Sequence, residues 1–137
     1  MNGEIGCCVA KKWFRMSGAI DKTSLWRDLN KLSLSLCKTC DTMHRMYRHT
    51  LGQRIVDKSL DLLVDWNNLY RADEYHLDVK EAFAVFQRDF ECLKVLISTG
   101  HELGQINRVN FPPILLLFDS ATRQFEGYCK KVTRVLD

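Results

Sequence analysis

Proline and glycine are scarce in this 137-residue chain, which holds only two prolines and seven glycines. That scarcity excludes collagen-like and low-complexity chains. Long apolar runs are missing too: FPPILLLF at residues 111–118 is far below the ~20 residues of a membrane-spanning helix, so no membrane partner is expected. Hydrophobic residues still make up 46% of the chain, enough at this length to bury one sizeable core. We therefore predict a single compact domain.

The N-terminal stretch lacks the apolar core of a secretory signal peptide, so we expect a cytoplasmic protein. The six cysteines are then better interpreted as reduced thiols than as a disulfide framework. Residues 1–20 fall outside any helical pattern and are predicted to be an N-terminal arm, either flexible or a short helix. Cys7 and Cys8 of this arm lie near cations, a pattern that suits acylation, although a tail that packs or moves freely explains them more simply. The domain itself is predicted over 21–137.

Apolar residues recur at intervals of three and four along the remaining chain, and no run alternates with period two. The seam from Leu25 to Tyr47 predicts a first helix over 23–48. Gly52 can take the left-handed conformation that ends a helix, and a second helix is predicted over 52–71. Because the connection is so short, these two helices are expected to run antiparallel.

Two further helices complete the pattern. Asp78 with Glu81 fits a capping box, in which the aspartate accepts from the third helical amide, and this helix is predicted to end near residue 99. Asn110 is predicted to cap the fourth helix, with proline in its first turn. The predicted fold is therefore all-α, an antiparallel up-down-up-down four-helix bundle.

The second predicted helix carries two apolar stripes. A helix that is apolar around more than half its girth is expected to be covered on two sides. One stripe is Ile55, Leu62, Trp66 and Leu69, and the other is Val56, Leu60, Leu63 and Tyr70.

A group of candidate metal ligands lies in the predicted first helix. Cys37, Cys40 and His44, at i, i+3 and i+7, share one face of that helix, and His49 follows its end. Four such ligands could hold zinc, but Cys40 also occupies a seam position, where a thiol packs as a small apolar group. We predict no metal and keep these ligands as a weak alternative.

Catalytic constellations are missing from the sequence. Paired carboxylates, a nucleophile beside a base and a phosphate-cradling glycine loop do not appear with usable spacing. No histidine follows a glutamate by three residues, so the motif of di-iron bundles is absent as well. We therefore predict no catalytic residues, no cofactor and a protein that is not an enzyme.

Charged residues form stripes along three of the predicted helices. Solvated faces explain such stripes in many proteins. A sharper hypothesis is that the acidic stripe of one subunit meets a basic stripe of its neighbour in a ring, while the remaining cations face nucleic-acid phosphates. The basic stripes are Arg27, Lys31, Lys38 and Arg45 on the first helix and Arg123, Lys130 and Arg134 on the fourth, and the acidic stripe is Asp57, Asp61 and Asp65.

Four segments resemble, in order, the accessory variability determinant (Avd) family of diversity-generating retroelements. This family is related to the four-helix-bundle proteins encoded in ribosomal RNA intervening sequences. The segments are YRHTLGQRI at 47–55, SLDLLVDWNNLYRA at 59–72, FAVFQRDFECLKVLISTGHELGQI at 83–106 and ILLLFDSATRQFEGYCKKV at 114–132. The similarity covers roughly residues 24–135.

The resemblance implies a homopentameric barrel that binds the retroelement's reverse transcriptase and its template RNA. It also implies that the protein is needed for mutagenic complementary-DNA synthesis without catalysing a reaction itself. DNA is an open alternative as the bound nucleic acid, and a bundle of the intervening-sequence type or a metal-binding bundle, neither with a polymerase partner, is the alternative function. The residues predicted to contact phosphates or an acidic protein surface are Arg27, Lys31, Lys38, Arg45, Arg48, His49, Arg54, Arg123, Lys130 and Arg134.

Overall fold

The computed structural model describes residues 23–136, and the side chains of residues 23–131. The predicted N-terminal arm at 1–20, with Cys7 and Cys8, lies outside the described residues. Four long helices and one short helix follow each other, and the described part of the chain contains no strand, which confirms the all-α prediction. The helices are α1 (Ser24–Asp41), α2 (Arg45–Arg48), α3 (Leu51–Tyr70), α4 (Val79–Glu102) and α5 (Phe111–Leu136).

The four long helices share one hydrophobic core, built from the predicted apolar seams. Tilted aromatic pairs join α4 to α5: the ring centroids of Phe86 and Phe125 lie 4.4 Å apart, and those of Phe90 and Phe118 lie 4.5 Å apart. Aromatic pairs at such distances add to the stabilisation that burial of their apolar area already gives. The side chains with almost no exposed surface are Leu29, Leu32, Leu36, Ile55, Leu62, Phe86, Leu93, Ile106 and Ile114.

The predicted first helix is interrupted near its end, so its expected extent to residue 48 was wrong. The α1 helix ends at Asp41, where the hydroxyl of Thr42 donates to the Thr39 carbonyl at 2.7 Å. Threonine hydroxyls compete in this way for helical carbonyls and favour a break. Met43 stays buried at 3% exposure, so the apolar spacing that predicted one helix is kept across the break.

The glycines that were predicted at helix ends lie inside helices instead, and another glycine follows the end of α4. Gly52 lies inside the first turn of α3, where a Cβ atom would collide with the Cys40 sulfur and reach within 3.1 Å of the Met43 sulfur. Gly100 lies inside α4, so the helix does not end near residue 99. Gly104, with φ of +70°, follows its last turn and supplies the left-handed conformation that favours glycine. Close packing, not helix termination, therefore explains Gly52.

The start of α4 confirms Asp78 as its cap. The side chain of Asp78 accepts a hydrogen bond from the Lys80 amide at 2.9 Å, which is the second helical amide and not the predicted third. A carboxylate at this place also interacts favourably with the positive end of the helix dipole, which lies at the N-terminus.

The two stripes of α3 have different surroundings. The first is buried, with Ile55, Leu62, Trp66 and Leu69 at most 3% exposed. The second is only partly covered within the described part of the chain: Leu63 packs against the core, whereas Leu60 is 46% and Tyr70 is 44% exposed. No described helix is long and apolar enough to cross a membrane.

Candidate nucleic-acid interface

Two segments distant in sequence meet at one end of the bundle. The backbone amide of His44, just before α2, donates to the side-chain oxygen of Gln105 in the α4–α5 loop at 2.8 Å. This contact places residues 42–54 beside residues 103–110, and we name the two segments together the basic end. Its cationic side chains are Arg45, Arg48, Arg54 and Arg108.

The short helix α2 presents its arginines to solvent. His44 caps it, since its Nδ1 accepts from the Met46 amide at 3.3 Å, and Tyr47 anchors it on the core. Arg45 is exposed and has no ion pair within the described part of the chain. The guanidinium of Arg48 donates to the Met43 carbonyl at 3.4 Å, so Arg48 also supports the turn.

The other predicted residues of this end are exposed. His49 follows α2 as its C-terminal cap residue, and Arg54 lies in the first turns of α3 with no ion pair to any described residue. Arg108 was not predicted. In a bundle whose neighbouring helices alternate in direction, the third connection falls at the same end as the first, so topology could have identified it.

The predicted flanking residues spread along two helices. Arg27, Lys31 and Lys38 are exposed on α1. Lys38 lines a groove of about 220 Å³ between α1 and the start of α5, with Thr42 and Asn110 among its neighbours. The charge stripe of α1 thus runs toward the basic end.

On α5 the predicted cations differ from one another. Arg123 pairs with Asp119 at 3.4 Å, but both side chains are about 70% exposed, so the pair contributes little to stability. Lys130 is exposed near the other end of the bundle. Arg134 lies in the last turns of α5, and its side chain is outside the described ones.

The candidate metal ligands do not form a site. Cys40 is buried, and its thiol donates to the Arg48 carbonyl at 3.7 Å. His44 lies outside α1 and caps α2, so it does not share a helical face with Cys37 as predicted. Across residues 23–131, no group of three or more histidine, cysteine, aspartate or glutamate side chains could hold a metal ion. No cysteine in this part of the chain forms a disulfide.

A pair of carboxyl groups escaped the sequence analysis. Asp65 of α3 and Asp89 of α4 are near enough for each to alter the pKa of the other, although no usable spacing links them in the sequence. Lys58 pairs with Asp89 and with Asp61, at 3.3 Å each. We name Lys58, Asp61, Asp65 and Asp89 the carboxyl seam. Because the pairing depends on how α3 and α4 are aligned, only the regular spacing of the acidic stripe hinted at it.

The carboxyl seam also limits the acidic stripe that was expected to meet a neighbouring subunit. Asp61 pairs with Lys58, and Asp65 is half-buried. Asp57 is exposed and accepts a hydrogen bond from Gln53 at 2.9 Å. All three carboxylates are therefore either bonded within the chain or partly removed from the surface.

No protein-family model, no curated protein and no solved structure matches the chain.

Proposed function

We propose that this chain is the non-catalytic accessory protein of a diversity-generating retroelement, which binds the reverse transcriptase and its template RNA. The observation that carries the proposal is the basic end, where two distant segments that carry exposed arginines are joined by the hydrogen bond between His44 and Gln105. Arginine contacts phosphates in bidentate fashion, and clustered cations release counterions from a nucleic-acid backbone. The resemblance to the Avd family supplies the polymerase and the RNA as the partners.

An up-down-up-down arrangement of the long helices is part of this proposal. It is supported by contacts at both ends of the bundle: Trp66 donates to the Thr23 hydroxyl at 3.1 Å, while Gly52 packs on Cys40. The start of α1 is thus near the end of α3, and the end of α1 is near the start of α3.

The homopentamer is also a proposal, and exposed apolar residues of α3 support a contact between copies. Leu60 and Val64, 46% and 59% exposed, lie four residues apart on one face of α3. Exposed apolar positions at this spacing are typical of a helix that meets a partner. Because Asp57 and Asp61 are bonded within the chain and Asp65 is half-buried, we assign the contact between copies to these apolar residues. The mass of the native particle tests the proposed pentamer. A monomer would contradict both the pentamer and the contact between copies.

Binding assays with matched variants test the proposed function. The Arg45→Glu/Arg54→Glu double variant reverses two exposed charges at the basic end. Lys80→Glu/Lys94→Glu makes the same change in net charge on the exposed surface of α4, outside the two segments of the basic end. We expect the first variant to lose at least about tenfold in affinity for the template RNA and the second to retain most of it.

Capture of the reverse transcriptase distinguishes the proposed function from its alternative. A retroelement accessory protein should capture its reverse transcriptase with RNA present and after nuclease treatment. RNA binding without any capture of the polymerase would instead favour a bundle of the intervening-sequence type. Equal loss of RNA binding in both double variants would show that net charge, and not the basic end, governs the affinity.

A further inference from the structure

The carboxyl seam places two acids and a lysine where α3 packs on α4. Asp89 is only 7% exposed, and Asp65 is half-buried. Oδ1 of Asp89 is 3.3 Å from the Lys58 ammonium and 3.9 Å from the Arg88 guanidinium. Burial makes the charge state of each group matter, because water cannot fully screen two acids that face each other.

One oxygen atom indicates that Asp65 is protonated. Oδ2 of Asp65 is buried and has no hydrogen-bond partner among the described residues. A buried oxygen without a donor disfavours the negative charge of an ionised carboxylate. Two ionised carboxylates only accept hydrogen bonds, so Asp65 and the neighbouring Asp89 can bond to each other only while one of them carries a proton.

The neighbouring charges decide which acid carries that proton. Lys58 and Arg88 both approach Asp89 and favour its ionised form. Asp65 makes no ion pair in the described part of the chain, and the nearby Asp61 carboxylate favours its neutral form. In a hydrogen bond between the two acids, Asp65 would therefore be the donor and Asp89 the acceptor.

We propose that Asp65 and Asp89 form a proton-dependent latch between α3 and α4. The latch is closed while Asp65 donates its proton to Asp89, and it weakens when that proton leaves. Loss of the proton puts two negative charges side by side in a partly dry seam, where Lys58 is already shared with Asp61.

A groove beside the latch gives the proton a path to solvent. It encloses about 200 Å³ and is lined by Asp65, Asn68, Asp78 and Glu81, together with apolar side chains. Asp78 and Glu81 line this groove from the start of α4.

The pH interval of the latch follows from both carboxyl groups. Burial, and then the hydrogen bond and charge of Asp89, raise the pKa of Asp65 to about 7. The hydrogen bond from Asp65, and then Lys58, lower the pKa of Asp89 against the effect of burial. An aspartate in the unfolded chain titrates near pH ~4. The folded protein therefore binds one more proton between about pH 4 and pH 7, and the stabilisation by Asp65 falls across this interval as pH rises.

Equilibrium unfolding in urea from pH 5 to pH 8.5 tests the latch in the full-length chain. Asp65→Asn keeps the shape and can donate an N–H to Asp89 at every pH, but it cannot titrate. Relative to this variant, the unfolding constant of the wild-type protein should rise by up to about tenfold per pH unit toward pH 7 and then level off. Asp57→Asn, exposed on the same helix, should keep the wild-type pH dependence.

A direct titration needs no variant. The carboxyl ¹³C shift of Asp65 in the folded wild-type protein should change near pH 7. A change near pH 4 would overturn the latch, and so would a wild-type pH dependence that persists in Asp65→Asn. If Asp65→Asn does not fold, the ¹³C titration alone decides.

Discussion

At the basic end, Arg45 and Arg54 stand exposed with no ion pair in the described part of the chain. In the carboxyl seam, Lys58 pairs with the buried Asp89, and Asp65 is half-buried. Exposed cations contribute little to folding but remain available to an anionic partner. Buried and paired charges act on stability and respond to pH. The difference predicts that changes at the basic end alter binding, whereas changes in the seam alter stability.

The largest effect is expected where the basic end meets the core. Gly52→Val would push a side chain into the Cys40 and Met43 sulfurs, and we expect it to lower the free energy of unfolding by about 3 kcal/mol. It should also weaken RNA binding, because α2 is held by the same turn. Urea unfolding measures the first effect.

Gly127 offers a matched control, because a Cβ atom there meets nothing within 4 Å. Gly127→Ala on α5 should leave stability unchanged or raise it by up to about 1 kcal/mol. If Gly52→Val were as stable as wild type, close packing would not explain this glycine.

A smaller effect is expected in the carboxyl seam. Asp89→Ala leaves Lys58 with Asp61 alone and removes the acceptor of Asp65, which should cost about 2 kcal/mol at pH 6. At pH 8.5 the cost should be smaller, because the variant also relieves the repulsion between two ionised acids. Unfolding at the two pH values measures both. An equal loss in the free energy of unfolding at both pH values would contradict the pH dependence of the seam. Weakened RNA binding by the folded variant would contradict the expectation that the seam affects stability and not binding.

The smallest effect on stability is expected from Arg45→Glu/Arg54→Glu. These side chains make no ion pair to any described residue, so the melting temperature should stay within about 2 °C of wild type. A thermal scan by circular dichroism measures it. A larger drop would mean that these arginines stabilise the fold. It would contradict the statement that the exposed cations of the basic end contribute little to folding.

The four long helices could be predicted because an apolar seam is a local pattern. Leu29, Leu36, Phe86 and Phe125 fall on their seams and are buried. The break after Asp41 was missed, because Met43 continues the seam across it. Local periodicity thus identifies which residues are buried more reliably than where a helix ends.

The candidate interface was predicted in part. Arg45, Arg48, His49 and Arg54 are neighbours in sequence, so one basic stretch indicated them. Arg108 comes from a distant loop, which is placed beside α2 by the contact between His44 and Gln105. The carboxyl pair could not be predicted at all, because Asp65 and Asp89 meet only once α3 and α4 have been aligned.

The salt dependence of RNA binding tests the central claim most directly. Each phosphate contact made by a cation contributes about 0.7 to the slope of log affinity against log salt for a single strand. The Arg45→Glu/Arg54→Glu variant should therefore show a slope shallower by about 1.4 than the wild type, while Lys80→Glu/Lys94→Glu keeps the wild-type slope. An unchanged slope in the first variant would contradict the assignment of the basic end as the nucleic-acid interface.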